Sequence, residues 1–507
     1  MKSKSTTVLS YQELYEENAR LKAELAELKR LVFGRKTERF VPQAPAADQL
    51  SLFVQHPQEE AQQKTVKEVV KGYERQKSQP KREKLPEGLP VVEVEINPAA
   101  EEIAGMVRIG QEVTEELDYV PARFRVIRYI RPKYARPVNE QDQDPEAKNI
   151  LIAPLPTRVI EKGIPSAGLL AHILISKFVD HLPYYRQIKM FARIGMKISD
   201  STINGWVTKC VALLEVLYQW HRLRMMENDY LMADETTIKV LQEGKPGKSH
   251  TGYFWVYYDP GGKQSLFVYD PGRGGKYPRE HLKSFKGYLQ TDGYAAYEAF
   301  DQLGSDKRLV GCMAHVRRKF EHALDNDAQR AGEVLKIMQR LYAIEQRARQ
   351  QSYTHEQRLE LRREQAAPIM QELKNYLLQA QDRLLPKSKI GQAVNYALNR
   401  WKYLERYLED GKLEIDNNLV ENAIRPVALG RKNYLFAGSA QGAGWAAVLY
   451  TLLSSAQGAG HNPFEYLKDI LQRLPDQPLS ELDELLPQHW IPLDTGRGIA
   501  TEQQREV

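Results

Sequence analysis

Leucines recur every seventh residue near the start of the chain. Leu14, Leu21 and Leu28 fall at d of a heptad, with Tyr11, Asn18, Leu25 and Val32 at a. The pattern predicts a parallel coiled coil within residues 1–40. Asn18 would hold two strands in register, and Glu17 and Glu24 would face Lys22 and Lys29 of a second chain. A homodimer or higher homo-oligomer is therefore expected. Residues 41–90 lose all periodicity, are rich in Pro, Gln and Ala, and carry a basic run from Lys71 to Lys84; they read as a basic flexible linker. Alternation returns over 91–96 and 123–131 and predicts a small β module spanning 91–160. Over 165–225 the period becomes helical: one apolar-faced helix at 168–180, then a helix-turn-helix made of 184–193, a turn at Gly195 and 199–210.

Strand patterning is strongest after residue 226. Runs at 230–241, 252–258 and 265–269 are joined by short turns, among them Asp259-Pro-Gly-Gly262. A helix at 278–285, a strand at 288–291, a helix at 294–300 and a strand at 308–313 follow. This β-β-β-α-β-α-β order is that of a ribonuclease-H-like core, in which the first and fourth strands are neighbours. Residues 226–320 form its first part, 321–408 an all-helical insertion and 409–440 its last part. A C-terminal helical region (441–475) and a tail (476–507) complete the chain. The fold class expected is multidomain α+β, as the length itself requires more than one core.

Asp234 and Asp292 each end an apolar strand, and on neighbouring strands they would meet. A helix starting near Asp416-Asn-Asn418 and stopping at Pro426 offers two further carboxylates. Asp416, at the cap, would be occupied by backbone amides, which leaves Glu421 as the third ligand. Three such carboxylates suit two hard Mg²⁺ ions, with Mn²⁺ able to substitute, for in-line displacement at a phosphodiester. Expected DNA contacts are Arg35 and Lys36 after the coiled coil; Ser201, Thr202, Asn204 and Lys209 on the second helix of the helix-turn-helix; and Arg317, Arg318, Arg425, Arg431 and Lys432 near the carboxylates.

Composition narrows the field further. A net charge of +6 is mild, with the basic residues gathered around 71–84 and 425–432. Two cysteines exclude a disulfide framework, and neither a signal peptide nor a membrane-length apolar run is seen, so a cytoplasmic, nucleoid-associated protein is expected. Gly244-Lys-Pro-Gly-Lys-Ser249 is not a phosphate loop, because Gln242 stands where the first glycine belongs. Cys312 and His315 lack a second pair for zinc and read as active-site support. Trp401, Tyr403 and Tyr407 read as core packing.

Several strings carry a family resemblance. Glu116-Leu-Asp-Tyr-Val-Pro-Ala122, Arg131-Pro-Lys-Tyr134, Thr291-Asp-Gly-Tyr-Ala-Ala-Tyr297, Cys312-Met-Ala-His-Val-Arg-Arg-Lys-Phe320 and Glu421-Asn-Ala-Ile-Arg-Pro-Val-Ala-Leu-Gly-Arg-Lys-Asn433 resemble the large transposase of the insertion sequence 66 family. The resemblance implies a transposase with Asp234, Asp292 and Glu421 as its metal-binding triad. It would cut element ends with Mg²⁺ and join 3′ hydroxyls to target DNA. The implied partners are the terminal inverted repeats, target DNA and two small accessory proteins. Cys312 and His315 match that family's Cys-x-x-His motif. The family's zinc module carries cysteines where this chain reads Arg131-Pro-Lys-Tyr-Ala-Arg-Pro-Val-Asn139, and none precedes Cys210, so no zinc is expected. The alternative is a domesticated DNA-binding protein without strand transfer. A repair nuclease is disfavoured by the N-terminal modules and the insertion.

Overall fold

The computed structural model describes residues 124–135 and 150–492, apart from residues 156, 162, 246, 303 and 305, together with strands β1 (Val66–Val70) and β2 (Tyr73–Lys77). The chain divides into two units, residues 1–120 and 121–507. In the first, β1 and β2 pair antiparallel, with Val66 opposite Lys77 and Val70 opposite Tyr73. The stretch read as a flexible linker thus contains a hairpin. Three valines in five residues favour extended backbone, and a glycine-containing pair separates the strands in sequence. The predicted coiled coil, Arg35 and Lys36 lie outside the described residues.

In the second unit, β3 (Lys133–Ala135) and β4 (Ile150–Ile152) pair antiparallel. The strand expected over 123–131 is not formed. Among the described residues, 124–130 have no partner strand, and Val126 and Ile130 are exposed. Alternation defines two faces but does not supply hydrogen-bond partners. Phe124 anchors this segment by meeting Phe191 edge-on, with centroids 5.3 Å apart.

Helices α1 (Ala167–Phe178), α2 (Tyr184–Arg193) and α3 (Asp200–Met226) follow. Ser166 and Ser199 cap α1 and α3, each accepting a backbone N–H at 3.2 Å. Gly195, at φ +86°, makes the turn between α2 and α3. Helix α3 runs well past residue 210, because its apolar stripe continues through Leu214, Leu217 and Met225.

Strands β5 (Tyr230–Leu241), β6 (Ser249–Asp259), β7 (Gln264–Asp270), β8 (Gly287–Thr291) and β9 (Lys307–Val310) form one sheet in the order β7-β6-β5-β8-β9. The pairing is antiparallel from β7 to β5 and parallel from β5 to β9. The first and fourth of these strands are neighbours, as the order of elements predicts. Between β7 and β8 lies the short helix α4 (Lys276–His281).

The insertion has a core of its own, built from α5 (Met313–Glu321), α6 (Ala328–Gln350), α7 (His355–Leu361), α8 (Ala367–Gln381), α9 (Lys389–Asn399) and α10 (Trp401–Glu405). Trp401 and Tyr407 are buried in it. Charge is buried there as well. Arg362 donates to Glu345 and to the carbonyls of Tyr407, Asp410 and Leu413, and Arg358 bridges Glu345 and Glu414. The returning segment is pinned to the sheet: Gln290 donates to the Gly311 and Glu414 carbonyls, at 3.0 and 2.9 Å, and the Glu414 N–H donates to the Tyr230 hydroxyl at 3.0 Å.

Helix α11 (Asn418–Tyr434) runs through Pro426 instead of stopping there. The proline removes one ladder hydrogen bond, and the acceptor it strands belongs to the exposed Asn422, where water can replace it. Helix α12 (Ala440–Gly458) closes the sheet edge. Thr451 and Ser455 accept the N–H groups of Phe267 and Ser265 on β7, while Tyr218 of α3 donates to the Phe267 carbonyl. Edge groups that would otherwise recruit another strand are thereby satisfied. Residues 476–492, read as tail, pack back: Asp483 accepts from Trp220 and Arg224 of α3, and Trp490 donates to Asp469 on α13 (Pro463–Arg473). Among the described residues no helix is long and apolar enough to cross a membrane.

Candidate active site

The sheet register brings two carboxylates together. On the parallel pair β5–β8, Ala233 stands opposite Thr291, the last residue of β8. Asp234 and Asp292 come immediately after them. Beyond this point β5 has lost its parallel neighbour, and the C-terminal ends of parallel strands are the usual place for a site in such sheets. Asp234 accepts the Glu235 N–H at 2.8 Å, and Asp292 accepts the Tyr294 N–H at 2.7 Å across Gly293. Gly293, at φ +91°, is required by its left-handed backbone, and the Arg400 guanidinium packs against it. Tyr396 of α9 donates to the Asp292 carbonyl at 3.0 Å, so the insertion braces this loop.

Glu421 arrives on the first turn of α11. Its Oε1 lies 3.9 Å from His315 Nε2, and its Oε2 lies 3.7 Å from Arg318 Nη2. Oε1 is buried without a hydrogen-bond partner, as are both side-chain polar atoms of Asn417. His315 Nδ1 meets Cys312 Sγ at 3.3 Å, and the Asn417 N–H donates to the same sulfur at 3.4 Å. Cys312 therefore ties the start of α5 to the start of α11. Burial pushes its thiol up, so it is held as a neutral S–H. Burial also lowers His315, against the opposing pull of Asp292 and Glu421. Asp416 accepts the Asn418 N–H at 3.1 Å, the backbone role expected of it.

The electrostatics are those of a site waiting for positive charge. Asp234 is raised to about 8, first by burial and then by Asp292, with Glu235 and Glu421 adding to the repulsion. Among the described residues no three His, Cys, Asp or Glu side chains are close enough to share one ion. The donor set instead suits carboxylate pairs. Mg²⁺ takes one or two protein carboxylates and completes its shell with water and phosphate oxygens, and Glu421 Oε1, which makes no hydrogen bond, is an oxygen of that kind.

Sequence reasoning missed Glu235. Its nearly buried carboxylate is neutralised by Arg273, which follows β7, and the Tyr297 hydroxyl lies 3.5 Å away. Successive strand residues point to opposite faces, so Asp234 and Glu235 serve different surroundings. Nothing local in the sequence links Glu235 to Arg273. The expected DNA contacts separate into groups. Ser201, Thr202, Asn204 and Lys209 are exposed on α3, and Lys432 is exposed on α11. Arg425 lies one turn beyond Glu421. Arg318 sits beside Glu421, Arg317 pairs with Glu321 at 3.1 Å, and Arg431 Nη1 donates to Thr236 Oγ1 and the Thr237 carbonyl on β5.

Residues 162–444, more than half the chain, match the family model described as Transposase IS66 family. The chain belongs to the IS66 transposase family. Three further family models match: "Transposase C of IS166 homeodomain" at 20–94, "zinc-finger binding domain of transposase IS66" at 101–135 and "IS66 C-terminal element" at 451–488. Two relatives from Sinorhizobium fredii are similar across most of their length. Uncharacterized protein y4jD is 33% identical over 493 residues, covering 93% of this chain and 94% of the relative. Uncharacterized protein y4qI is 36% identical over 401 residues, covering 76% and 72%.

The zinc-finger match corrects the expectation that no zinc is needed, since it points to zinc binding at 101–135. Counting cysteines excludes thiolate ligands only. Carboxylates also bind zinc, and this IS66 module carries Glu101, Glu102, Glu112, Glu115, Glu116 and Asp118.

Proposed function

We propose that this transposase is a DDE enzyme with a ribonuclease-H-like core, which cleaves insertion-sequence ends and transfers their 3′ hydroxyls into target DNA. Asp234, Asp292 and Glu421 would hold two Mg²⁺ ions. When bound, the ions supply an activated oxygen nucleophile and neutralise charge on the phosphodiester. The observation that carries this reading is the meeting of Asp234 and Asp292 where the parallel pairing of β5 and β8 ends, with Glu421, whose Oε1 has no hydrogen bond, adding to the repulsion on Asp234.

The chain's own residues then have distinct tasks. His315 and Arg318 orient Glu421; Cys312 and Asn417 fix the junction from which it projects. Tyr396 and Arg400 hold the Asp292 loop. Arg425 and Lys432 extend α11 toward DNA phosphates, and the α2–turn–α3 unit presents Ser201, Thr202, Asn204 and Lys209 to duplex DNA as a helix-turn-helix. The N-terminal heptads make a dimer that can bring two element ends together.

A joining assay with full-length protein, duplexes ending in the element's inverted repeats and a target plasmid tests the reading. Mg²⁺-dependent joined product, lost in Asp292→Asn, is expected. Joining that survives this substitution would overturn the triad. Specific binding without any joining would instead favour the domesticated DNA-binding protein.

A further inference from the structure

A cavity of about 290 Å³ lies between α1, α2, α3, the far end of β5 and the start of α12. Its size is at the low end for small-molecule sites, enough for one nucleotide unit and too small for a duplex. Lys177 lines it, with its ammonium 3.7 Å from the centre of the Tyr184 ring. Burial lowers this lysine to about 8, and no carboxylate offsets the effect. Tyr184 lines the same cavity, and its hydroxyl is buried without a hydrogen-bond partner. Ser439 and Gly442 bring the N-terminus of the 19-residue α12 to the same space. Ser439 caps only the Gly442 N–H, so other first-turn amides keep their polarity for an anion.

The remaining wall is aromatic: Tyr434, Phe436 and Trp445. Leu435 has φ +65°, a left-handed conformation that branched residues rarely adopt, and Phe436 follows it directly. Asn204 and Thr208 of α3 also line the cavity. They lie four residues apart, so both face the same side of the helix, and Asn204 is exposed beside Ser201 and Thr202.

We propose that this pocket binds a single nucleotide, with its phosphate at Lys177 and the α12 N-terminus and its base against Tyr434, Phe436 and Trp445. Cation, hydroxyl and helix end suit the anion, and flat apolar walls suit a base taken out of its stack. An unpaired nucleotide of the DNA substrate is the source that rests on the proposed function. A free mononucleotide offers the same chemistry.

Fluorescence anisotropy of full-length protein, without added divalent cation, separates these sources. The probes are a short duplex with one extrahelical deoxyadenosine, the same duplex fully paired, and free dAMP. Tighter binding of the bulged duplex by about tenfold is expected, and Lys177→Met and Trp445→Ala should each abolish the preference while leaving paired-duplex affinity unchanged. Photocrosslinking of 5-iodouracil at the bulge should label Tyr434 or Trp445 in the unsubstituted protein, which needs no variant to fold. Saturable dAMP binding, lost in Lys177→Met, together with no bulge preference, would assign the pocket to a free nucleotide. Duplex binding with neither a preference nor dAMP binding would overturn the pocket and leave the transposase reading intact. Failure to bind any DNA would count against that reading, and the dAMP arm would still decide the pocket.

Discussion

Two regions of this molecule bury carboxylates, with opposite consequences. Where the returning segment meets the helical insertion, Glu414 would be raised by burial, but hydrogen bonds and charge from Arg358 and then Arg349 hold it down to about 2. Glu345 is likewise lowered, because Arg362 and Arg358 override its burial. Where the β5–β8 pairing ends, Asp234 has Asp292 as its strongest charged neighbour and rises to about 8. A buried carboxylate with arginines around it is a structural joint. One surrounded by other carboxylates costs stability, and that cost marks a place for a cation.

The largest test of this contrast is Asp234→Asn. Joining should fall by about 10³-fold or more, because a proposed metal ligand is gone. The melting temperature should stay level or rise, because a buried repulsive charge goes with it. A clear drop in melting temperature would break the contrast. Arg362→Met should do the reverse, costing about 3–5 kcal/mol in urea unfolding, since it leaves Glu345 Oε1 and three backbone carbonyls without their donor in a dry core.

Acid should act on the insertion. The folded-state value of Glu414 lies below its ordinary 4.5, so its stabilisation is fully present above about 4.5 and is lost as pH falls toward 2. The amount is about 3 kcal/mol. Thermal unfolding followed from pH 6 to 2 should show this loss, and Glu414→Gln should flatten it. The smallest effect is expected at His315. Replacement by Asn should slow joining by about 10- to 100-fold, as loss of a group that orients a ligand does, with DNA affinity in anisotropy unchanged.

Much of the core was legible because its signals are local. The bounds of β5 match the predicted 230–241, but Asp234, expected at a strand end, lies inside that strand, and only the parallel pairing with β8 ends beside it. Other features depend on distant partners. The alternating stretch 124–130 found no strand to pair with, and Pro426 was tolerated because its stranded acceptor faces water. The final segment looked like tail until Trp490 and Asp483 met α13 and α3. Glu235 was read past because its neutralising partner, Arg273, lies 38 residues away. The zinc expectation failed for another reason: it counted one ligand type where the family model at 101–135 points to zinc.

The sequence by itself determined the order of strands, the residue types at their ends and the family strings, since periodicity, breakers and motifs act over a few neighbouring residues. Only the tertiary structure decided which charges share a space. It set Asp234 beside Asp292 through a parallel register and returned Glu421 to them over a clamp of Gln290, Tyr230 and Glu414. It also gave every buried charge of the insertion an arginine or a carboxylate. Coulomb interactions and desolvation depend on distance in space, and that distance is fixed only when the chain closes on itself.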